Sequence, residues 1–244
     1  MPVGKGQKNR RLLVGIVLDA SGSMQSIKAE TISNTNEQFS SLRDSDDADN
    51  TYVAMWTFNS DVRPTFTNPD GSVKLVPCKN LQDISDADYK PSATTAMFDA
   101  VGDATVFFEA EAKPADDVLI VIISDGLNNA SRRFTSEVIA SRVKELQDSG
   151  WNFTYIGANQ DLTKVQANLG IHAGNMYSFS ANPEGTVAMG TDVRSAIRGY
   201  TISRSDMLKT GHTGRVATRS LYEDQSEDNI VLVNTPTGSN KTED

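Results

Sequence analysis

The chain has very little cysteine and histidine. Its 244 residues include one cysteine, Cys78, and two histidines, His172 and His212. A single thiol excludes an internal disulfide framework, and the set is too small for a zinc site of the cysteine and histidine type. We expect Cys78 to be structural or incidental and His172 to be a surface or hydrogen-bonded residue. The composition therefore argues against disulfide-stabilised and zinc-binding proteins.

Long apolar runs and an excess of positive charge are also missing. No segment reaches the roughly 18 apolar residues of a membrane span, and the run at 12–18 ends at Asp19 without a signal cleavage site. The 23 Lys and Arg residues are outnumbered by 32 Asp and Glu residues, giving a net charge of −9. Nucleic acid and anionic membranes are therefore unfavourable partners. We expect a cytoplasmic protein, unless it is incorporated into a virion.

Signatures of the common enzyme classes are absent from the sequence. Ser21 does not lie in a Gly-x-Ser-x-Gly elbow, and neither histidine lies in a motif that would activate it. Ser21 also stands where a phosphatase of the Asp-x-Asp type has its second carboxylate, and no Walker lysine follows a glycine-rich loop. The sequence therefore predicts a protein that is not an enzyme.

The most informative stretch is an apolar run that ends in polar residues. Residues 12–18 are typical of a buried strand, and Asp19, Ser21 and Ser23 follow at alternate positions. Ligands of open α/β sheets bind outside the carboxyl ends of the strands, so a site is expected here. A carboxylate and two hydroxyls at this spacing suit a hard cation such as Mg²⁺ or Mn²⁺, which prefers oxygen ligands.

Strand and helix patterns alternate along the rest of the chain. Strands are predicted at 52–58, 62–66, 118–123, 152–158 and 176–179, and helices at 24–42, 97–112, 134–149, 162–169 and 183–206. Val138 and Val187 are expected in the core, and the acidic run at 44–50 is expected to be a solvated loop. The alternation predicts an α/β fold: a doubly wound, mostly parallel sheet with one antiparallel edge strand and helices on both faces.

Three stretches, in chain order, resemble the loops of the metal-ion-dependent adhesion site (MIDAS) of von Willebrand factor type A (vWA) domains. Residues 19–24 resemble the first loop, residues 92–100 the threonine loop and the helix start after it, and residues 124–126 the aspartate loop. Residues 157–171 are similar to a stretch of stand-alone vWA proteins of bacteria and bacteriophages. The resemblance covers about residues 11–206 and implies the vWA fold.

The resemblance also implies a ligand set for Mg²⁺ or Mn²⁺. In the family, hydroxyls bind the metal directly, and two aspartates commonly act through water or hydrogen bonds. The match of residues 95–100 to the family favours Thr95 as the threonine ligand, and Thr94 is the alternative. The family often has glycines before the threonine, where Ala93 and Thr94 stand in this chain. Helix capping by the first loop, or a turn role for the last aspartate, are the alternatives to metal binding. The expected site consists of Asp19, Ser21, Ser23, Thr95 and Asp125.

Two functions are consistent with this resemblance. The first is a non-enzymatic interaction module, in which an Asp or Glu of a protein partner takes an open position on the metal. The second is a structural or assembly protein of a bacteriophage particle, in which the vWA fold is a scaffold. The two differ in where the partner touches the chain.

The ends of the chain differ in composition from its centre. Residues 1–10 form a polar arm, residues 11–206 the vWA domain and residues 207–244 a polar C-terminal tail. The tail has the composition of mobile, disordered segments. It is interrupted by the apolar run at 230–233, which predicts either a strap that docks on another chain in a homo- or hetero-assembly, or a strand of the protein's own sheet.

Overall fold

A computed structural model of the chain describes residues 10–180, 182–222 and 230–233. Its strands and helices alternate along the domain, as the sequence pattern predicts. The strands are β1 (Leu12–Asp19), β2 (Thr51–Phe58), β3 (Val62–Pro64), β4 (Val76–Pro77), β5 (Asp117–Ser124), β6 (Asn152–Ala158), β7 (Met176–Phe179), β8 (Arg215–Thr218) and β9 (Ile230–Val233). The helices are α1 (Lys28–Arg43), α2 (Met97–Glu111), α3 (Ser136–Asp148), α4 (Leu162–Leu169) and α5 (Pro183–Lys209).

The main sheet is mixed but mostly parallel. Its strand order is β3-β2-β1-β5-β6-β7, and β4 also pairs with β2. The neighbouring strands β2 and β1, β1 and β5, β5 and β6, and β6 and β7 are parallel. The short strands β3 and β4 pair with β2 in the antiparallel sense. The predicted fold class is therefore confirmed, and the antiparallel edge is built from two short segments. Because β1 and β5 are parallel neighbours, their carboxyl ends meet at one edge.

The two faces of β1 contact different helices, because neighbouring side chains of a strand point to opposite sides. Val14 and Ile16 belong to a core that includes residues of α1 and α5. Leu13 and Val17 belong to a second core, which includes residues of α2, α3 and α4. Between them, Gly15 allows close approach of α2: a Cβ there would lie 2.5 Å from the ring of Phe108. Burial on both faces explains the continuous apolar run of β1.

Two predicted core positions are wrong. Val138 of α3 is 51% exposed and Val187 of α5 is 58% exposed. The buried face of α3 instead begins at Ile139, which lies about 100° around the helix from Val138. In α5 the buried side chain of Val193 is six residues beyond Val187, which places the two on different faces. The other apolar positions predicted for the buried faces, Val143 and Leu146 in α3 and Val193, Ile197 and Tyr200 in α5, are buried, so the error is confined to one position in each helix.

The start of the first helix also differs from the prediction. A 3₁₀ turn at Gly22–Ile27 follows the first loop, and the α-helix proper begins at Lys28 rather than at Met24. Met24 and Ile27 are nevertheless buried, so both side chains serve the core as expected. The rest of the 3₁₀ turn therefore separates Ser23 from the amino end of α1.

A buried arginine connects the last helix to the opposite edge of the sheet. Arg204 of α5 donates from Nε to Oδ2 of Asp117 at 2.6 Å and from Nη2 to the carbonyl oxygen of Arg10 at 2.9 Å. It also pairs with Asp47. The acidic run at 44–50 is therefore not fully solvated, because Asp47 is largely buried against Arg204. The polar pattern of α5 did not indicate that Arg204 would be buried. Among the described residues, no helix is apolar and long enough to cross a membrane.

The described part of the C-terminal region contacts the domain. α5 continues to Lys209, and β8 pairs with β9 in a separate two-stranded antiparallel sheet. Val216 and Leu221 are buried, and Asn152 of β6 accepts from the backbone N–H of Thr218 at 2.7 Å. Where composition predicted mobility, side-chain to backbone hydrogen bonds and a few apolar anchors hold residues 210–222. The apolar run of β9 pairs within the chain, but with β8 and not with the main sheet.

Parts of both predicted ends are outside this description. Residues 1–9, 223–229 and 234–244 lie outside the described residues, so residues 1–9 of the polar N-terminal arm and these two parts of the tail stay predictions. The domain boundaries at 11 and 206 also stay predictions. Cys78 is buried, with its Sγ 3.1 Å from the carbonyl oxygen of Ala48, as a structural thiol would be.

Candidate metal site

The three predicted loops meet at the carboxyl edge of the sheet. Asp19 is the last residue of β1, and Asp125 directly follows the last residue of β5. The threonine loop reaches the same edge, where the backbone N–H of Gly22 donates to the carbonyl oxygen of Ala93 at 3.1 Å. Segments that are distant in sequence thus form one cluster of polar groups.

Two hydroxyls and a carboxylate form a continuous chain of contacts across this cluster. The Oγ atoms of Ser21 and Ser23 are 3.1 Å apart. Ser23 Oγ donates to Oδ1 of Asp125 at 2.6 Å. Ser21 is buried, whereas Ser23 is exposed. The chain of oxygens therefore runs from the buried floor of the cluster to its open side.

The carboxylate of Asp19 forms the floor of the cluster. It accepts from the backbone N–H of Ser21 at 2.7 Å and from Ser124 Oγ at 2.5 Å, and it is fully buried. The hydroxyl of Tyr89 donates to the backbone carbonyl oxygen of Asp19 at 2.5 Å. These contacts hold the side chain in one orientation. Ser124 was missed by sequence reasoning, although its place next to Asp125 at the end of β5 could have indicated it.

The two candidate threonines point in different directions. Thr95 is buried, and a Cβ built on Gly126 would lie 3.2 Å from Thr95 Oγ1 and 3.9 Å from Asp19 Oδ2. Both oxygens therefore face the same small space, which the absence of a side chain at Gly126 keeps open. Thr94 is exposed, and its Oγ1 is 2.9 Å from the Oγ of Ser60. The geometry brings Thr95, and not Thr94, to the cluster.

The threonine loop is joined to the aspartate loop by a reciprocal pair of hydrogen bonds. The backbone N–H of Thr95 donates to Oδ1 of Asn129 at 2.8 Å, and the backbone N–H of Asn129 donates to the carbonyl oxygen of Thr95 at 3.0 Å. Asn129 was not among the sequence candidates. Its role follows from a contact over 34 positions, which a single sequence does not reveal.

A second buried carboxylate, that of Asp99, supports the aspartate loop after β5. Asp99 of α2 accepts from the backbone N–H groups of residues 132, 133 and 134 at 2.9–3.0 Å. Burial opposes ionisation here, but the three N–H donors outweigh it and lower the pKa of Asp99. Asp99 lies within the stretch that resembles the threonine loop, yet the sequence alone assigned it no role. Its carboxylate positions the loop that carries Asp125.

The two carboxylates of the cluster lack a positive partner among the described residues. Burial raises the pKa of Asp19 to about 6, and burial also raises the pKa of Asp125. No lysine, arginine or histidine offsets either shift. Partly desolvated carboxylates without a cation are unfavourable when charged. A divalent cation would relieve this cost, and an all-oxygen donor set fits Mg²⁺ or Mn²⁺.

Simple helix capping does not account for the arrangement. Ser21 precedes the 3₁₀ turn, but its side chain makes no capping hydrogen bond. Its Oγ instead contacts Ser23. A capping serine would use that oxygen to accept from the turn's backbone N–H groups. The side chain is therefore directed into the cluster.

Comparison with protein families gives one match that covers the three loops. The family model that matches is described as von Willebrand factor type A domain, and the match covers residues 14–189. A comparison with curated proteins by sequence finds no match.

Solved structures with a similar fold include a thread matrix protein, a minor pilin and a pilus adhesin. Proximal thread matrix protein 1 from the mussel byssus, solved with a zinc-occupied MIDAS motif, has a TM-score of 0.53 and 14% identity, covering 78% of this chain and 46% of that one. The PilB minor pilin from Streptococcus sanguinis has a TM-score of 0.53 and 15% identity, with coverages of 78% and 62%. The pilus adhesin SpaC from Lactobacillus rhamnosus GG has a TM-score of 0.59 and 11% identity, with coverages of 78% and 30%. The chain thus spans less than two thirds of each, and at these identities the likeness concerns the fold.

Proposed function

The chain belongs to the von Willebrand factor type A family, and we propose that it is a metal-dependent module that binds a protein partner. The observation that carries the proposal is the convergence of five oxygen-bearing side chains from three loops on one edge of the sheet. These side chains are Asp19, Ser21, Ser23, Thr95 and Asp125.

Each side chain has a role that its position supports. Ser21, Ser23 and Thr95 supply neutral hydroxyl oxygens to Mg²⁺ or Mn²⁺. Asp19 and Asp125 supply the negative charge. Asp19 holds the first loop by accepting from the backbone N–H of Ser21, and Asp125 holds the hydroxyl of Ser23. A cation with this shell remains incompletely neutralised and would attract an outside carboxylate. The partner therefore offers an Asp or Glu, and the proposed role is non-enzymatic.

The solved structures support the proposal at the level of the fold. One of them is a matrix protein whose MIDAS motif holds zinc, and another is a pilus adhesin. The cytoplasmic location and the absence of nucleic-acid and membrane partners stay predictions from composition.

Thermal denaturation tests the metal site. Protein stripped with a chelator is titrated with Mg²⁺ or Mn²⁺, and we expect the melting temperature to rise, because an ion at 100 times its Kd stabilises the folded state by about 2.7 kcal/mol. Asp125→Ala should abolish the rise, whereas Asp206→Ala, an aspartate at the far end of α5 that is largely exposed, should leave it unchanged. An unchanged melting temperature up to millimolar concentrations of the metal would contradict an intact metal site.

Co-purification tests the partner side of the proposal. Proteins retained in the presence of Mg²⁺ are identified by mass spectrometry and compared with those retained in chelator and by Asp19→Ala. Loss of the same partner in both cases supports the metal-bridged contact. Survival of the complex in both cases favours the alternative, a bacteriophage assembly protein that uses the fold as a scaffold.

A further inference from the structure

A polar cavity of about 270 Å³ borders the candidate metal site. We propose that this cavity is a subsite for a second carboxylate of the partner, so that the recognised segment carries two acidic residues a short distance apart. One carboxylate would reach the metal and the other would reach Lys90. The inference rests on the proposed function, because it names the chemistry of the partner that the same edge binds.

The cavity and the metal loops share their walls. Ala20, which separates Asp19 from Ser21, lines the cavity. The carbonyl oxygen of Ala20 accepts from the backbone N–H of Ser92 at 2.8 Å. Lys90 also lines the cavity and lies two residues before Ser92, which limits the distance between their Cα atoms to about 7 Å. A short peptide on the metal can therefore extend into the cavity.

The charges around the cavity leave a cation available and the carboxylates engaged. Lys90 is exposed and has no ion pair with another described residue. Asp88 accepts from the backbone N–H and the hydroxyl of Ser85 at 2.8 and 2.6 Å. Asp61 pairs with Arg63 at 3.4 Å. A basic side chain would compete with these contacts of the two carboxylates. An acidic one would meet the ammonium group of Lys90, which has the charge of Asp88 nearby but no ion pair with a described residue.

The size of the cavity is compatible with the proposed occupant. The volume exceeds what a single carboxyl group fills, which leaves room for bridging water.

The test uses two blocked pentapeptides and protein loaded with Mn²⁺. One peptide has two glutamates separated by a glycine, and in the other the second glutamate is replaced by glutamine. Isothermal titration calorimetry measures both on the wild-type chain, on Lys90→Ala, and on Lys113→Ala, a control that removes an exposed lysine preceding β5 at the opposite edge.

We expect the two-glutamate peptide to bind the wild type about fivefold more tightly than the other peptide, the effect of one partly exposed ion pair. That advantage should disappear in Lys90→Ala and persist in Lys113→Ala. If the advantage is equally large in Lys90→Ala, the second carboxylate acts elsewhere, for example on the metal itself, and the subsite is wrong.

The controls separate failure of the subsite from failure of the proposed function. Equal binding of both peptides to the wild type, still dependent on Mn²⁺, overturns the subsite and leaves the metal-bridged contact intact. Binding of neither peptide to protein that binds Mn²⁺ overturns both. Replacing the second glutamate by lysine provides the opposite probe, and tighter binding of that peptide would show a cation subsite and contradict the inference.

Discussion

Ser23 donates from its Oγ to Oδ1 of Asp125 at 2.6 Å, although 102 positions separate the two residues. The bond joins the loop after β1 to the loop after β5. A serine hydroxyl that donates its proton in this way keeps its lone pairs for another partner. On the open side of the cluster, the Ser23 oxygen is therefore available to a cation, while Asp125 holds it in place.

The pH dependence of the metal-free protein reports on Asp19. The pKa of this group is about 6 in the folded state, against 3.8 for the exposed carboxyl group. Between these values the folded state binds a proton that the unfolded state releases, so the contribution of Asp19 to stability is greatest below pH 4 and falls as the pH rises to about 6. The expected loss is on the order of 2 kcal/mol, measured by urea unfolding in the presence of chelator.

Asp19→Asn is the matched variant for this measurement. Its side chain does not ionise, so most of the decline in stability between pH 4 and 6 should vanish. Added Mg²⁺ should raise the stability of the wild type most above pH 6, where Asp19 is charged. A decline of the same size in Asp19→Asn would show that another group causes it.

Removal of the Asp99 carboxylate should destabilise the aspartate loop. Asp99→Ala leaves three backbone N–H groups without their acceptor, and we expect a loss of about 2–3 kcal/mol in the free energy of unfolding. Because the pKa of Asp99 is lowered in the folded state, its contribution is present above pH 4 and is lost as the pH falls further. Chemical denaturation at pH 7 measures the loss.

Asp103→Ala is the control for that variant. Asp103 lies one turn further along α2 and pairs with Arg133, whose side chain is 52% exposed. An ion pair of this kind contributes less than about 1 kcal/mol. Equal destabilisation by the two variants would contradict the special role of Asp99.

The fold could be predicted from the sequence because its signals are local. The apolar runs of β1 and β5 and the periodicity of the helices are patterns that can each be recognised in a window of about ten residues. Burial of a given helix position depends instead on the neighbour that the helix meets. Val138 and Val187 were misplaced for that reason.

The candidate site could be predicted only where a motif carries it. The first loop and the two later loops have recognisable residue types. In contrast, Ser124 acts through a contact with Asp19, which is 105 positions away, and Asn129 through one with Thr95, which is 34 positions away. The sequence around Asn129 has no distinctive pattern, and Ser124 is marked only by its place next to Asp125. The choice between Thr94 and Thr95 likewise depends on the direction of each side chain, which spacing alone leaves open.

The C-terminal region should contribute to the stability of the domain. Val216 of β8 is fully buried, so Val216→Ala should lower the free energy of unfolding by about 1–3 kcal/mol. Val187→Ala, at a position that is 58% exposed, is the matched control and should change it by less than about 0.5 kcal/mol. Equal effects of the two variants would indicate that residues 210–222 are mobile, as their composition predicts.

The most direct test of the metal site is Mn²⁺ calorimetry on two neighbouring threonine variants. Thr95 faces Asp19 and Gly126, whereas Thr94 contacts Ser60. We expect Thr94→Ala to bind Mn²⁺ as the wild type does and Thr95→Ala to bind it at least about tenfold more weakly. Equal affinities in Thr95→Ala and the wild type, or no Mn²⁺ binding by the wild type at millimolar concentration, would contradict the assignment of this edge as a metal site.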